Sequence, residues 1–122
     1  MKIAITAKGN TLESEVDPRF GRCSYFLIVD TDTMSFESIS NESAMASGGA
    51  GIQAAQTVAK AGVEAIVTGN MGPNAFQTLY AAKIKVFIGA DGTIKEAIEK
   101  YNKGELKETE APNVGSHSGM RR

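Results

Sequence analysis

The order of short apolar segments along the chain is the feature that most constrains its fold. Three strand-like segments, rich in β-branched and aromatic residues, come first, at 2–7, 25–30 and about 34–40. Helical spacing then alternates with two further short apolar segments, at 65–68 and 85–88. The sequence therefore predicts the order β-β-β-α-β-α-β-α.

The three predicted helices connect or follow the later strands. In the first, Ile52, Ala55 and Val58 recur at helical spacing. The second begins at Pro73, which suits the first turn of a helix because an N–H group is not needed there. The third follows a glycine-containing turn at 89–92. Each of the first two helices therefore links two strands as a crossover.

These connections predict the topology of the sheet. Strand–helix–strand units form right-handed crossovers between parallel strands, and the first three strands most simply form a meander. Both constraints are met by a ribonuclease-H-like α/β fold, with three helices and a five-stranded mixed sheet of order 3-2-1-4-5 in which strand 2 is antiparallel. In the third strand, Phe36 and Ile39 are three residues apart, which predicts a bulge. We expect one domain over 1–103 and a polar, disordered tail over 104–122, because the tail has too few apolar residues to offset its ordering entropy.

Composition argues against several classes of function. The net charge is -1, and the 13 Lys and Arg residues are spread along the chain, so we expect no nucleic-acid partner. No apolar run reaches the roughly 18 residues of a membrane span, and a single cysteine, Cys23, favours the reducing cytoplasm. The only histidine, His117, lies in the tail and is interpreted as a solvated residue, so no Cys–His or Ser–His–Asp set can be built. We expect a binding protein and not an enzyme.

Glycine-rich loops gather at the edge of the predicted sheet where the parallel strands have their carboxyl ends. Ligands of open α/β sheets bind at this edge. Two of the loops precede helices, whose free N–H groups favour an anion, although such glycines also serve simply as turns and caps. The candidate binding residues in these two loops are Gly48, Gly49, Gly51, Gly69, Asn70, Gly72 and Asn74.

A short segment after the first strand adds positive charge to the same edge. Its candidate binding residues are Arg19, Phe20, Gly21, Arg22 and Cys23. Two arginines beside an aromatic ring and a glycine can present charge-assisted donors to an anion. Cys23, next to Arg22, is a candidate soft metal ligand with a lowered pKa, or else a small buried cysteine that opens the second strand. Asp17 either forms a turn with Pro18 or orients Arg19.

Three motifs of the chain resemble a known family. They are Asp-Pro-Arg-Phe-Gly-Arg-Cys at 17–23, Gly-Gly-Ala-Gly at 48–51 and Gly-Asn-Met-Gly-Pro-Asn-Ala-Phe at 69–76. Together they resemble the dinitrogenase iron–molybdenum cofactor biosynthesis family, over about residues 1–101. That family includes small nitrogenase accessory proteins that carry the cofactor or its precursor, and its fold is the ribonuclease-H-like arrangement.

The resemblance implies a non-catalytic carrier whose cargo is an anionic iron–sulfur or iron–molybdenum-type cluster, or a precursor. Arg19, Arg22, Cys23 and the glycine-loop amides would contact the cluster, and the Cys23 thiolate would hold an iron. Cluster-assembly or acceptor proteins would be its partners. The chain lacks the radical-enzyme cysteine motif and the second domain of fuller members. Two alternatives stay open: a regulatory module that binds phosphate or a nucleotide, and a domain whose edge docks another protein.

Overall fold

The computed structural model describes residues 1–42 and 49–112. Gly48 and His117, both considered above, lie outside the described residues. The elements in chain order are β1 (Lys2–Ala7), β2 (Tyr25–Asp30), β3 (Phe36–Ser40), α1 (Ala50–Lys60), β4 (Ala65–Val67), α2 (Pro73–Ala81), β5 (Lys85–Ile88), α3 (Ile94–Asn102) and β6 (Lys107–Thr109). The first eight elements follow the predicted order.

The strands form one mixed sheet in the order β3-β2-β1-β4-β5-β6. Strand β2 is antiparallel to both β1 and β3, whereas β1, β4 and β5 are mutually parallel. The predicted ribonuclease-H-like fold, with three helices and the order 3-2-1-4-5, is therefore confirmed. Because β1, β4 and β5 are parallel, their carboxyl ends lie at one edge of the sheet.

The sheet has six strands and not the predicted five, because the sequence analysis did not predict strand β6. It pairs antiparallel with β5, with Thr109 opposite Val86. Gly104 follows α3 with a φ of 72°, a left-handed conformation that turns the chain back toward the sheet. Residues 107–109, within the predicted tail, thus add a sixth strand to the sheet. Because β6 is short, polar and at an edge, hydrophobic alternation does not reveal it.

Strand β3 also differs in detail from its prediction. It pairs with β2 in continuous register from Phe36 to Ser40, without the predicted bulge. It begins later than expected because Met34 belongs to the preceding turn, where its φ is 65° and its N–H donates to the Asp30 carbonyl at 2.8 Å. Phe36 and Ile39 are three residues apart because this edge strand is largely exposed and does not need alternating apolar residues. The spacing does not mark a break in pairing.

Helices cover both faces of the sheet. The helices α1 and α2 pack with Ala4 and Ile66 on one face, and α3 packs with Ile3 and Ile5 on the other. Because consecutive strand residues point to opposite faces, strands covered on both sides are apolar almost throughout. None of the described helices has the length and apolar character needed to cross a membrane.

Candidate functional site

The loop after β1 lies across the carboxyl ends of the two central strands. The Asp17 N–H donates to the Thr6 carbonyl at 2.9 Å, and the Thr6 hydroxyl donates to the Asp17 carbonyl at 2.6 Å. The Thr6 hydroxyl oxygen also lies 2.9 Å from the hydroxyl oxygen of Thr68, just after β4, within hydrogen-bonding distance. All three residues are buried. These hydrogen bonds hold the loop against the middle of the sheet.

Two glycines allow neighbouring backbone segments to approach closely. A Cβ atom at Gly69 would lie 2.7 Å from the Cα of Pro18, and one at Gly21 would lie 3.1 Å from the Cα of Gly51. The Asn70 N–H donates to the Pro18 carbonyl at 2.9 Å. A side chain at Gly69 would force the two segments apart. The loop after β1, the start of α1 and the loop after β4 therefore lie side by side.

These three segments enclose an open cleft of about 470 Å³. The predicted site residues that line it are Arg19, Phe20, Gly21, Arg22, Gly49, Gly51, Asn70, Gly72 and Asn74. Cys23 and Gly69 do not line the cleft and are buried. The structure thus brings the arginine pair and both glycine loops together at the predicted edge of the sheet.

The cleft also has apolar walls that the sequence analysis did not identify. They consist of Pro18, Ala50, Ile52, Pro73 and Ala75. Ile52 is 37% exposed, although its spacing with Ala55 and Val58 resembles that of a core residue. The available signal was its position near the start of a helix, directly after a glycine loop. Residues in the first turn project toward the loop end of a helix and not over its middle.

Helices α1 and α2 both begin at the cleft, at N-cap residues that provide no side-chain cap. Their N-cap residues are Gly49 and Gly72. At α3, by contrast, the Thr93 hydroxyl accepts the Glu96 N–H at 3.1 Å and the Glu96 carboxylate accepts the Thr93 N–H at 2.9 Å. The first N–H groups of a helix have no carbonyl partner within the helix and carry positive partial charge. The two uncapped helix starts therefore favour an anion in the cleft.

Arginine adds full positive charge to the cleft. The Nε and Nη2 atoms of Arg19 each donate to the Asp17 carboxylate at 3.2 Å, and the Arg19 backbone N–H donates to it at 3.0 Å. The hydrogen bond and the charge of Asp17 raise the pKa of Arg19, so the guanidinium stays protonated. Arg22 is exposed and lines the same cleft.

Cys23 is placed differently from its prediction as a metal ligand. It is fully buried, and its thiol donates to the Phe20 carbonyl at 3.4 Å. Desolvation, followed by the charge of Asp17, raises the pKa of Cys23 to about 12. The predicted lowering of this pKa is wrong because burial outweighs the effect of a neighbouring arginine. The geometry supports the alternative of a small buried cysteine just before β2, and argues against a metal-binding thiolate.

A second groove, of about 510 Å³, lies between α2 and the edge formed by β5 and β6. Its charged walls carry both signs, from Lys83 and Lys85 and from Glu108 and Glu110. It contains none of the predicted site residues. The first cleft is therefore the better candidate for binding an anion.

Comparison with known families matches residues 1–104 to the model described as dinitrogenase iron–molybdenum cofactor. The chain belongs to this family. The resemblance carried by the three motifs is confirmed by this match, which spans nearly all of the described residues. The matched residues include all those that line the cleft.

Several known proteins are similar to this chain over most of their length. The orange protein from Desulfovibrio gigas, solved in its apo form, is 45% identical, with a TM-score of 0.89 over 92% of this chain and 95% of that chain. A candidate NifB protein from Thermotoga, solved by NMR, is 40% identical, with a TM-score of 0.77 over 88% and 91%. An uncharacterized protein of Methanocaldococcus jannaschii is 33% identical over 113 residues, which cover 90% of this chain and 92% of the relative.

Proposed function

We propose that this protein is a non-catalytic carrier that binds an anionic iron–sulfur or iron–molybdenum-type cluster, or its precursor, in the cleft. The observation that carries the proposal is the convergence of two uncapped helix starts and two arginines, Arg19 and Arg22, on one cleft. Such a cluster has net negative charge and outer sulfides that accept hydrogen bonds. Guanidinium and backbone N–H groups are suitable donors to these sulfides.

The size and walls of the cleft favour a cluster over a single oxyanion. A volume of about 470 Å³ is within the range of small-molecule sites. Ala50, Ile52 and Ala75 add apolar surface to the donors. Sulfide is less strongly hydrated than a phosphate oxygen and loses less free energy on contact with such a wall. Phosphate oxygens pressed against the same wall would lose hydrogen bonds to water without replacement.

The contacts that we propose are to the outside of the cluster. Within residues 1–42 and 49–112, no group of three or more His, Cys, Asp and Glu side chains is arranged to hold a metal ion. Hydrogen bonds to outer sulfides would therefore hold the cargo. The Arg19 side chain is 66% exposed, so cluster-assembly or acceptor proteins could reach a cargo bound beside it. We place this carrier role in the cytoplasm, where a lone cysteine stays reduced.

The relatives support a cofactor-related role. The family takes its name from the iron–molybdenum cofactor. Among the similar structures, one is the apo form of the orange protein and another is a candidate NifB protein. These names concern the relatives, and they favour cluster cargo for the cleft of this chain.

Anaerobic reconstitution tests the proposal. The protein is incubated with iron and sulfide, or with tetrathiomolybdate, desalted, and examined for retained charge-transfer absorbance. We expect the native protein to retain a chromophore and Arg22→Ala to bind it about tenfold more weakly, because one charge-assisted donor is lost. Cys23→Ser should retain it, since the thiol lies outside the cleft. Lys100→Ala is the matched control, because Lys100 pairs with Asp91 outside the cleft.

The alternative ligand class is tested in the same preparation. Thermal unfolding is followed with phosphate and with nucleotides, because a ligand that binds only the folded state raises the midpoint. A native protein that retains no chromophore would contradict the proposal. If its midpoint rose with phosphate or a nucleotide, the phosphate-binding module would replace the cluster carrier.

A further inference from the structure

A buried carboxylate lies directly behind one of the cleft arginines. The Asp17 side chain is 2% exposed, whereas the Arg19 side chain that it binds is 66% exposed. Two guanidinium nitrogens of Arg19, Nε and Nη2, donate to different oxygens of the carboxylate at 3.2 Å. This two-point contact restrains both the position and the plane of the guanidinium group.

The backbone that carries this carboxylate is fixed to the centre of the sheet. Hydrogen bonds in both directions join Asp17 to Thr6, near the end of β1. The Thr6 hydroxyl also contacts that of Thr68, after β4. Asp17 therefore has little freedom to move, and Arg19 is held by a rigid part of the protein although its own side chain is largely exposed.

A guanidinium group has five N–H donors. Asp17 accepts one from Nε and one from Nη2 of Arg19, which leaves three that this carboxylate does not use. An exposed arginine normally loses side-chain entropy when it binds a ligand. Here part of that loss has already occurred in the free protein. Arg19 therefore meets an anion in a restrained orientation.

We propose that Asp17 is a positioning residue for the anion site, which holds the Arg19 guanidinium ready to donate into the cleft. The inference rests on the proposed function, because it requires an anion in the cleft. A positioning role and a purely electrostatic role predict opposite changes in anion affinity when the Asp17 carboxylate is removed. The negative charge of Asp17 opposes a bound anion, so removing that charge alone would tighten binding, whereas loss of positioning weakens it.

Asp17→Asn isolates the positioning role from the turn. The asparagine side chain keeps an oxygen that can accept the Arg19 backbone N–H, as Asp17 Oδ1 does at 3.0 Å. It loses the charge and the second acceptor for the guanidinium. We expect tetrathiomolybdate to bind Asp17→Asn about tenfold more weakly than the native protein, through loss of the fixed charge-assisted donor. Equal or tighter binding would overturn the inference.

A double-mutant cycle shows whether Asp17 acts through Arg19. Arg19→Gln should weaken binding at least as much as Asp17→Asn, and the double variant should bind no more weakly than Arg19→Gln alone, because only the opposing charge of Asp17 is then removed. A full additional loss in the double variant would assign Asp17 a role independent of Arg19. Asp91→Asn removes a carboxylate from an exposed ion pair with Lys100 and serves as the control that leaves binding unchanged.

Two further measurements keep the test decisive. In the free protein, NMR should detect a slowly exchanging Arg19 Nη2–H signal, because Nη2 donates to Asp17 Oδ2. Asp17→Asn replaces one carboxylate oxygen and should lose this signal; its persistence in that variant would overturn the inference. If Asp17→Asn does not fold, Arg19→Lys keeps the charge but not the two-point contact, and affinity equal to native would overturn the inference. If the native protein binds neither the molybdenum anion nor an iron–sulfur cluster, the proposed function itself fails, whatever the NMR signal shows.

Discussion

At the scale of single residues, the buried carboxylate of Asp17 acts on two titratable neighbours. It raises the pKa of Arg19 through a hydrogen bond and charge, and it adds to the raised pKa of Cys23, which comes mainly from desolvation. A negative charge favours the protonated form of each group. In Arg19 this preserves the cation, whereas in Cys23 it preserves the neutral thiol.

Cys23→Ala should flatten the alkaline part of the stability profile. Folding raises the pKa of the thiol from its ordinary value of 9.0 to about 12, so the folded protein keeps a proton that the unfolded chain releases. The resulting stabilisation is complete below pH 9.0 and is lost as pH rises toward 12. The unfolding free energy of the native protein, measured in urea across this range, should fall more steeply than that of the variant. Parallel profiles would contradict the raised pKa.

The sequence predicted the arginines better than the cysteine. The charge of Arg19 and Arg22, and the glycine between them, are local properties that a short motif displays. The burial of Cys23 depends on packing with distant residues, such as Ala54 in α1, within the same core cluster. A neighbouring positive charge was therefore a poor guide to its pKa.

At the scale of elements, the helix that begins outside the cleft is capped by a side chain, whereas the two that begin at the cleft are not. Helix α3 has a complete capping box at Thr93, whereas α1 and α2 begin at glycine. Side-chain caps stabilise a helix by satisfying its first N–H groups. Those same groups must stay available if an anion is to bind them.

Gly72→Asp should therefore stabilise α2 and impair anion binding. The φ of -85° at Gly72 is accessible to any residue. An aspartate there would accept first-turn N–H groups, adding up to about 1 kcal/mol of stability, and would place negative charge at the cleft. We expect a slightly higher unfolding midpoint together with loss of tetrathiomolybdate binding.

The matched control is Thr93→Ala, at a helix start outside the cleft. It should lower the unfolding free energy by about 1 kcal/mol through loss of the cap, with anion binding unchanged. Native affinity in Gly72→Asp, measured beside this control, would show that the start of α2 does not contact the ligand.

Strand β6 marks the limit of prediction at this scale. The strands β1, β2, β4 and β5 carry continuous apolar runs because they lie inside the sheet. The sequence of β6, Lys-Glu-Thr, has no such run. Its backbone pairing with β5 identifies it as a strand. Such pairing does not require apolar side chains, so the sequence shows no periodic pattern there.

At the scale of the whole molecule, topology was the most predictable property. Right-handed crossovers and a meander leave few arrangements for five strands, and the observed order is the predicted one with a sixth strand added. The same topology predicted which loops share an edge. It could not predict how closely they approach, which depends on contacts such as that between Gly69 and Pro18.

Deletion of residues 105–122 tests whether β6 belongs to the folded unit. It would remove one of the two strands that pair with β5 and leave the backbone of Lys85–Ile88 as an open edge. We expect the unfolding free energy to fall by about 2 kcal/mol, and the shortened chain to associate as its concentration rises. Thermal unfolding and light scattering measure both effects. Deletion of residues 113–122 keeps β6 and should behave like the full chain; equal behaviour of both deletions would contradict this role.

The close approach of backbone at Gly21 and Gly69 has a consequence for how such a protein could change its cargo. Beside the cleft, main chain lies directly against main chain at these two glycines. A side chain at either position would displace the neighbouring segment. The rim, where Arg22 and Ile52 stand exposed, is free to vary in charge and bulk. Under the proposed function, one unaltered frame can thus be fitted to different clusters by exchanging a few peripheral side chains.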